Sequence, residues 1–293
     1  MELPIPVTLI ATPVSTHYEL AMQALKAGKH VLIEKPLAAT TEQGRRIIEE
    51  AERRNLVAMV DHTFVYTGAV RKIRELIAKK ELGDIYYYDS VRVNLGMFQH
   101  DVNVLWDLAV HDLSILSYVL PDAPCAVSAT GISHVPGRPE NIGYISLFFP
   151  TNLIAHLHVN WLSPVKLRRT LIGGSRKMIL YDDVEPSEKI KVYDKGIALN
   201  NGGPDSMHKI LVSYRVGDMS APQLDITEAL RIEAEHFRAC IEDQAQPITP
   251  ATQGLPIIEI LEAATRSMAE RGRVIELSGA HAPVPAVAGA AAR

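Results

Sequence analysis

Three side chains in the first 120 residues have types and spacing suited to proton and charge chemistry: Lys35, Asp107 and His111. Lys35 follows the apolar run Val31-Leu32-Ile33 and precedes Pro36, so it stands just past the end of a predicted buried strand. Parallel-sheet enzymes bind ligands at such carboxyl ends. An ammonium placed near an oxygen that gains negative charge stabilises that charge. Asp107 and His111 are four apart on a predicted helix and share a face. His111 is the candidate general base, because an imidazole titrates near neutrality. Asp107 would orient it or hold a substrate hydroxyl. Asp112 points elsewhere and reads as structural. Taken singly, each residue also has a plainer reading, as a turn lysine or a helix-surface ion pair.

The elements that must position these residues are legible in outline. Val7–Ala11 and Val31–Ile33 are short apolar runs rich in β-branched residues, the pattern of buried parallel strands. Between them Tyr18–Ala27 has helical spacing and stops at Gly28. Thr40 or Thr41 caps a helix through Arg53, and Leu56–Val60 is a third strand. Helices are expected over Ala69–Lys80 and Val104–Leu120, with a long strand Ile85–Val93 between them. Strand patterns then dominate from Val127 to Val192, and Asp225–Asp243 and Leu255–Arg271 close the ordered part as helices. The predicted fold class is α/β. A parallel sheet over residues 1–64 is followed by an α+β domain, 65–277, with a large, mostly antiparallel sheet. Residues 278–293 read as a disordered tail.

Thirty basic against 34 acidic residues give a net charge of −4, and 6% of residues are aromatic. Neither suits a nucleic-acid or anionic-membrane binder. No run approaches the ~20 apolar residues of a membrane span. Two cysteines, Cys125 and Cys240, suit a reducing cytoplasm. His156 and His158 alternate on a strand, but no compact ligand cluster surrounds them, so no metal is expected. Tyr86, Tyr87 and Tyr88 lie on one predicted strand, Tyr86 and Tyr88 facing one side and Tyr87 the other. One face of the large sheet is expected to pack against a second subunit, giving a homo-oligomer.

Four motifs then stand in order: Ile10-Ala11-Thr12-Pro13 with His17, Glu34-Lys35-Pro36, Asp61-His62-Thr63-Phe64, and Asp107-Leu108-Ala109-Val110-His111-Asp112. In this order and spacing they resemble the Gfo/Idh/MocA family of nicotinamide-dependent oxidoreductases, over about Val7 to Leu277. The resemblance implies a Rossmann-like first domain and hydride transfer between NAD or NADP and a hydroxyl of a sugar, polyol or nucleotide sugar. It implies that Thr12, Pro13, His17, Glu34, Lys35 and Pro36 serve the cofactor, with the Pro36 peptide bond cis. Lys35, His111 and Asp107 become the catalytic set, and Arg92, Asn94, Gln99 and Asn103, with Arg168 or Arg169, the substrate contacts. The family's Gly-rich first turn is absent: no G-x-G-x-x-G occurs in these 293 residues. By analogy about seventy residues that carry it are missing, and the Rossmann-like sheet is incomplete. The full-length protein is the expected dehydrogenase. A non-catalytic sugar-binding or assembly subunit that lost the dinucleotide half is the alternative.

Overall fold

A computed structural model describes residues 6–96, 102–199 and 212–277. Gln99 and the expected tail, 278–293, lie outside the described residues.

The chain opens with alternating strands and helices: β1 (Val7–Ile10), α1 (His17–Lys26), β2 (His30–Glu34), α2 (Thr41–Arg53) and β3 (Ala58–Asp61). The strands pair in parallel in the order β1-β2-β3, with Ile10 opposite Ile33 and Glu34 opposite Asp61. Their carboxyl ends therefore lie side by side. The turn at Gly28 has φ +76°, a left-handed conformation that glycine adopts without a Cβ penalty. α2 starts at Thr40, whose side chain accepts a hydrogen bond from the Gln43 N–H.

The second part is built on α3 (Gly68–Ala78), β4 (Ile85–Leu95), α4 (Val110–Val119), β5 (Ala126–Ile132), β6 (Ile142–Phe148), β7 (Ile154–Asn160), β8 (Leu162–Gly174), β9 (Met178–Asp182) and β10 (Ile190–Tyr193). A two-stranded ribbon, β11 (Gly196–Leu199) with β12 (Val212–Arg215), and the short β13 (Met219–Ser220) follow. The helices α5 (Ala229–Glu242) and α6 (Ala251–Ala269) and the short β14 (Ile275–Glu276) complete the described chain. Nine strands form one sheet in the order β13-β10-β9-β8-β4-β7-β6-β5-β14. β4 runs parallel to β7, and the other pairs are antiparallel. One face is covered by apolar residues of α3, α4 and α6, such as Ile73, Leu113 and Leu261, packed on Tyr88, Leu147, Leu157 and Trp161.

The C-terminal helices tie the two sheets together. α6 gives Ala251 and Ile258 to the core of the parallel sheet, and Ile257, Ile260 and Leu261 to the core of the large one. α5 places Phe237 and Cys240 against Met59 of β3 and Tyr66.

Two local expectations are corrected. Val104–Leu120 is not one regular helix: Leu105–Ala109 is a π-helical turn, and α4 starts only at Val110. A wider turn changes which residues share a face. Tyr86 and Tyr88 do not share an environment either. Tyr88 is fully buried and Tyr86 is 50% exposed. The β4–β8 register shifts between Ile85 and Tyr87, and such an irregularity breaks the two-residue alternation.

Candidate active site

The carboxyl ends of β1, β2 and β3 deliver Thr12-Pro13, Glu34-Lys35-Pro36 and Asp61-His62-Thr63 to one edge of the parallel sheet. Thr12 and Pro13 are exposed there. The Lys35–Pro36 peptide bond is cis and Pro36 is buried. His17, fully buried, bridges the first two loops: Nδ1 lies 2.8 Å from the Pro36 carbonyl and Nε2 lies 2.9 Å from the Thr12 carbonyl. Its ring nitrogens are thus occupied by backbone. It fixes Thr12 against Pro36, so its hydrogen bonds serve the two loops.

Lys35 reaches across to the π-helical turn. Its Nζ donates to the Asp107 carbonyl at 3.0 Å and to Asp107 Oδ1 at 3.3 Å. Asp107 Oδ2 accepts from Trp161 Nε1 at 3.0 Å. The carboxylate is thereby shared between an ammonium and an indole. No hydrogen bond joins Asp107 to His111 among the described residues, so the expected carboxylate–imidazole pair gives way to Lys35–Asp107. The π turn is the physical reason, because it displaces the two side chains from a common α-helical face.

His111 is set beside Lys35, His62, Arg92 and Arg168. Burial and then the Arg92 and Lys35 charges hold its pKa well below the usual imidazole value. It is neutral at physiological pH and able to accept a proton. The Phe64 ring meets it edge-on at 5.1 Å. The Arg92 guanidinium lies 4.6 Å above the same ring and that of Arg168 lies 5.7 Å from it. His62 is buried with neither ring nitrogen hydrogen-bonded, and burial pushes its pKa down to about 4.

The expected substrate contacts divide. Arg92 is 3% exposed and pairs with Asp112, Nε to Oδ2 at 2.8 Å and Nη2 to Oδ1 at 3.2 Å, so it is first a buried structural cation. Ser90 also donates to Asp112, at 2.8 Å, which confirms Asp112 as structural. Only Arg92 Nη1 is left without a partner. Asn103 is a helix cap: Oδ1 accepts from Leu105 N at 3.1 Å and Trp106 N at 3.4 Å. Its Nδ2 donates to Glu140 Oε2 at 3.3 Å, so both ends of the amide have protein partners. Asn94 is partly buried near the end of β4. Arg169 pairs with Asp182 across to β9. Arg168 pairs with Asp183 at 3.1 Å and keeps a buried, unpartnered Nε. Sequence reasoning missed Trp161 and Phe64 as site residues. Aromatic residues carry no spacing signal, and Trp161 lies 54 residues from the carboxylate it serves.

Glu34 receives its own neighbour's backbone N–H at 3.2 Å. Burial and the Asp61 carboxylate raise its pKa. With Thr12, Pro13 and Lys35 it forms an open sheet edge that fits the nicotinamide end of a dinucleotide.

Comparison with known proteins bears on this geometry. Residues 3–62 match the profile of an oxidoreductase family with an NAD-binding Rossmann fold, and residues 70–180 match the GFO/IDH/MocA C-terminal domain. The chain is 25% identical over 294 residues to the NADP(+)-dependent scyllo-inositol 2-dehydrogenase of Bacillus subtilis, covering 92% of this chain and 79% of that protein. It is 32% identical over 134 residues to the UDP-N-acetylglucosamine 3-dehydrogenase of Acidithiobacillus ferrooxidans, covering 45% of this chain and 41% of the other. The solved structure of that second enzyme superposes with TM-score 0.74 at 22% identity, over 90% of this chain and 79% of the other. GenD2 from gentamicin A biosynthesis, in complex with NAD, gives 0.76 at 22%, over 93% and 78%.

Proposed function

Since this chain belongs to the Gfo/Idh/MocA oxidoreductase family, whose first domain is an NAD-binding Rossmann fold, we propose that its substrate is the secondary hydroxyl of a sugar, polyol or nucleotide sugar. The observation that carries the reading is the Lys35 ammonium, held by Asp107 at the carboxyl edge of the parallel sheet with a neutral imidazole beside it. A bound nicotinamide supplies the hydride acceptor. Lys35 then stabilises the charge that grows on the substrate oxygen. His111 takes the hydroxyl proton, and its depressed pKa keeps it ready to do so. Asp107 and Trp161 fix the ammonium. Thr12, Pro13, Glu34 and Pro36 shape the nicotinamide end of the site. Arg168 Nε and Arg92 Nη1 are buried donors without protein partners, and substrate oxygens would satisfy them. We assign residues 1–64 to the cofactor domain and 65–277 to the substrate and assembly domain. Free, buried Cys125 and Cys240 favour a cytoplasmic setting.

The test is calorimetric titration with NAD(H) and NADP(H), followed by a screen of inositols, aldoses and nucleotide sugars for nicotinamide reduction. Binding with turnover on one of these classes is the expected result. Lys35→Met should lower kcat by about 100-fold or more with little effect on melting. An unaltered kcat in that variant would remove Lys35 from the chemistry.

A further inference from the structure

Three carboxylates from three elements meet in one corner behind the candidate site. Glu34 ends β2, Asp61 ends β3, and Glu233 is carried in by α5; all three line one groove of about 620 Å³. Glu233 is 0% exposed, and neither of its carboxyl oxygens has a hydrogen-bond partner. A buried ionised carboxylate in that condition costs several kcal/mol unless something neutralises it. No cation does so. Lys35 is engaged by Asp107, and Arg238 of the same helix reaches outward to Glu242 at 3.5 Å. No group of three or more ligating side chains among the described residues is arranged to hold a metal ion. A proton is the remaining neutraliser, and the donors present show where it resides. Asp61 Oδ1 already accepts from the Thr63 backbone N–H at 3.1 Å and from the Thr63 hydroxyl. Glu34 accepts from Lys35 N. Glu233 accepts no hydrogen bond of ordinary geometry among the described residues, and the polar groups that bear on it most are the Asp61 carboxyl and the His62 backbone.

We propose that Glu233 is a positioning residue of the site, a protonated carboxylic acid that donates to Asp61 and so clamps α5 to the ends of β2 and β3 that carry Glu34-Lys35. The groups facing it are Asp61 and the His62 backbone from β3, Glu34 from β2 and the Tyr66 hydroxyl, which is itself bonded to Thr249 Oγ1 at 2.9 Å. Burial first, then the Asp61 and Glu34 charges, push its pKa up to about 9. Ionising it would set three negative charges in one corner and loosen the strand ends that aim Lys35. The clamp rests on the reading above for what Lys35 does. The proton itself does not, and it can be tested without cofactor or substrate.

The experiment compares the whole wild-type chain with Glu233→Gln, whose amide can donate to Asp61 at every pH. Between the ordinary carboxylate value of 4.5 and about 9 the native chain holds a proton that the unfolded chain releases. Wild-type stability should therefore fall as pH rises through that window by one proton more than the variant's. The wild type should also show a protonated-carboxyl infrared band at neutral pH that the variant lacks. Parallel stability curves, or a band that persists in Glu233→Gln, would overturn the proposal. If the wild type turns over a substrate, Glu233→Gln should keep its kcat and extend activity to higher pH, whereas Glu233→Ala should lose kcat. A wild type with no turnover sinks the functional reading but leaves the proton test standing.

Discussion

Lys35 and His111 stand side by side in different surroundings. Lys35 has a carboxylate partner in Asp107. His111 has burial and three cations around it, which oppose its charge. Kinetics should reflect this. The acid limb of kcat/KM is expected below the ordinary imidazole value of 6.5, and a limb at or above 6.5 would exclude His111 as the base. Stability should follow the same sign. His62 and His111 have native pKa values below their unfolded ones. Their contribution is therefore present above pH 6.5 and lost as pH falls. For His62, with a native value of about 4, the loss approaches about 3 kcal/mol by pH 4. Urea melts of wild type and His62→Asn between pH 7 and pH 4 should show the wild type losing stability relative to the variant as the pH drops. Curves that stay parallel would show that His62 is not held neutral.

At the level of elements, the seam between α4 and β4 depends on one buried ion pair. Asp112 accepts from Arg92 and Ser90, and both charged partners are about 3% exposed. Replacing both partners by apolar groups could be neutral, but removing one strands the other charge. Asp112→Asn should cost about 3–5 kcal/mol in a denaturant melt and move the Arg92 guanidinium off the Phe64 ring. A cost below about 1 kcal/mol would mean that Arg92 reaches water by rearrangement. α6 makes a different kind of seam. It is apolar on two sides because it fills two cores, and this explains its weak helical periodicity: Ile257 and Ile258 are adjacent in sequence and belong to different clusters.

For the molecule as a whole, one face of the nine-stranded sheet is left uncovered by the described residues. Tyr144 is stacked 4.5 Å from His158 and 6.1 Å from His156, and Tyr144 and Ile154 are 40% and 48% exposed. Apolar and aromatic side chains shared across neighbouring strands are the composition of an association surface. We expect two copies to meet there. Light scattering coupled to gel filtration should report a dimer that Ile154→Asp weakens, and a monomeric wild type at micromolar concentration would dismiss the idea.

How much of this was legible in advance varies with the range of the interaction. The β-branched runs at Val7, Val31 and Leu56 and the stop at Gly28 gave the first three strands to within about two residues, because burial and turn chemistry act locally. The motif order placed Lys35 at a strand end, and it stands there. Its partner was not legible. α-Helical spacing lets Asp107 orient His111 or hold a substrate hydroxyl, and the π-helical turn instead places its carboxylate on Lys35 and Trp161. Arg92, Asn103 and His17 read from the sequence as ligand contacts, yet an ion pair takes two of the three Arg92 nitrogens, a cap takes the Asn103 carbonyl oxygen and two backbone carbonyls take the His17 ring. The sequence by itself determined the order of elements, the carboxyl-edge placement of the chemistry and the family, all encoded in local pattern and short motifs. Only the tertiary structure decided which polar groups satisfy one another and which, like Glu233, are left to hold a proton, because burial and contact between distant segments set that cost.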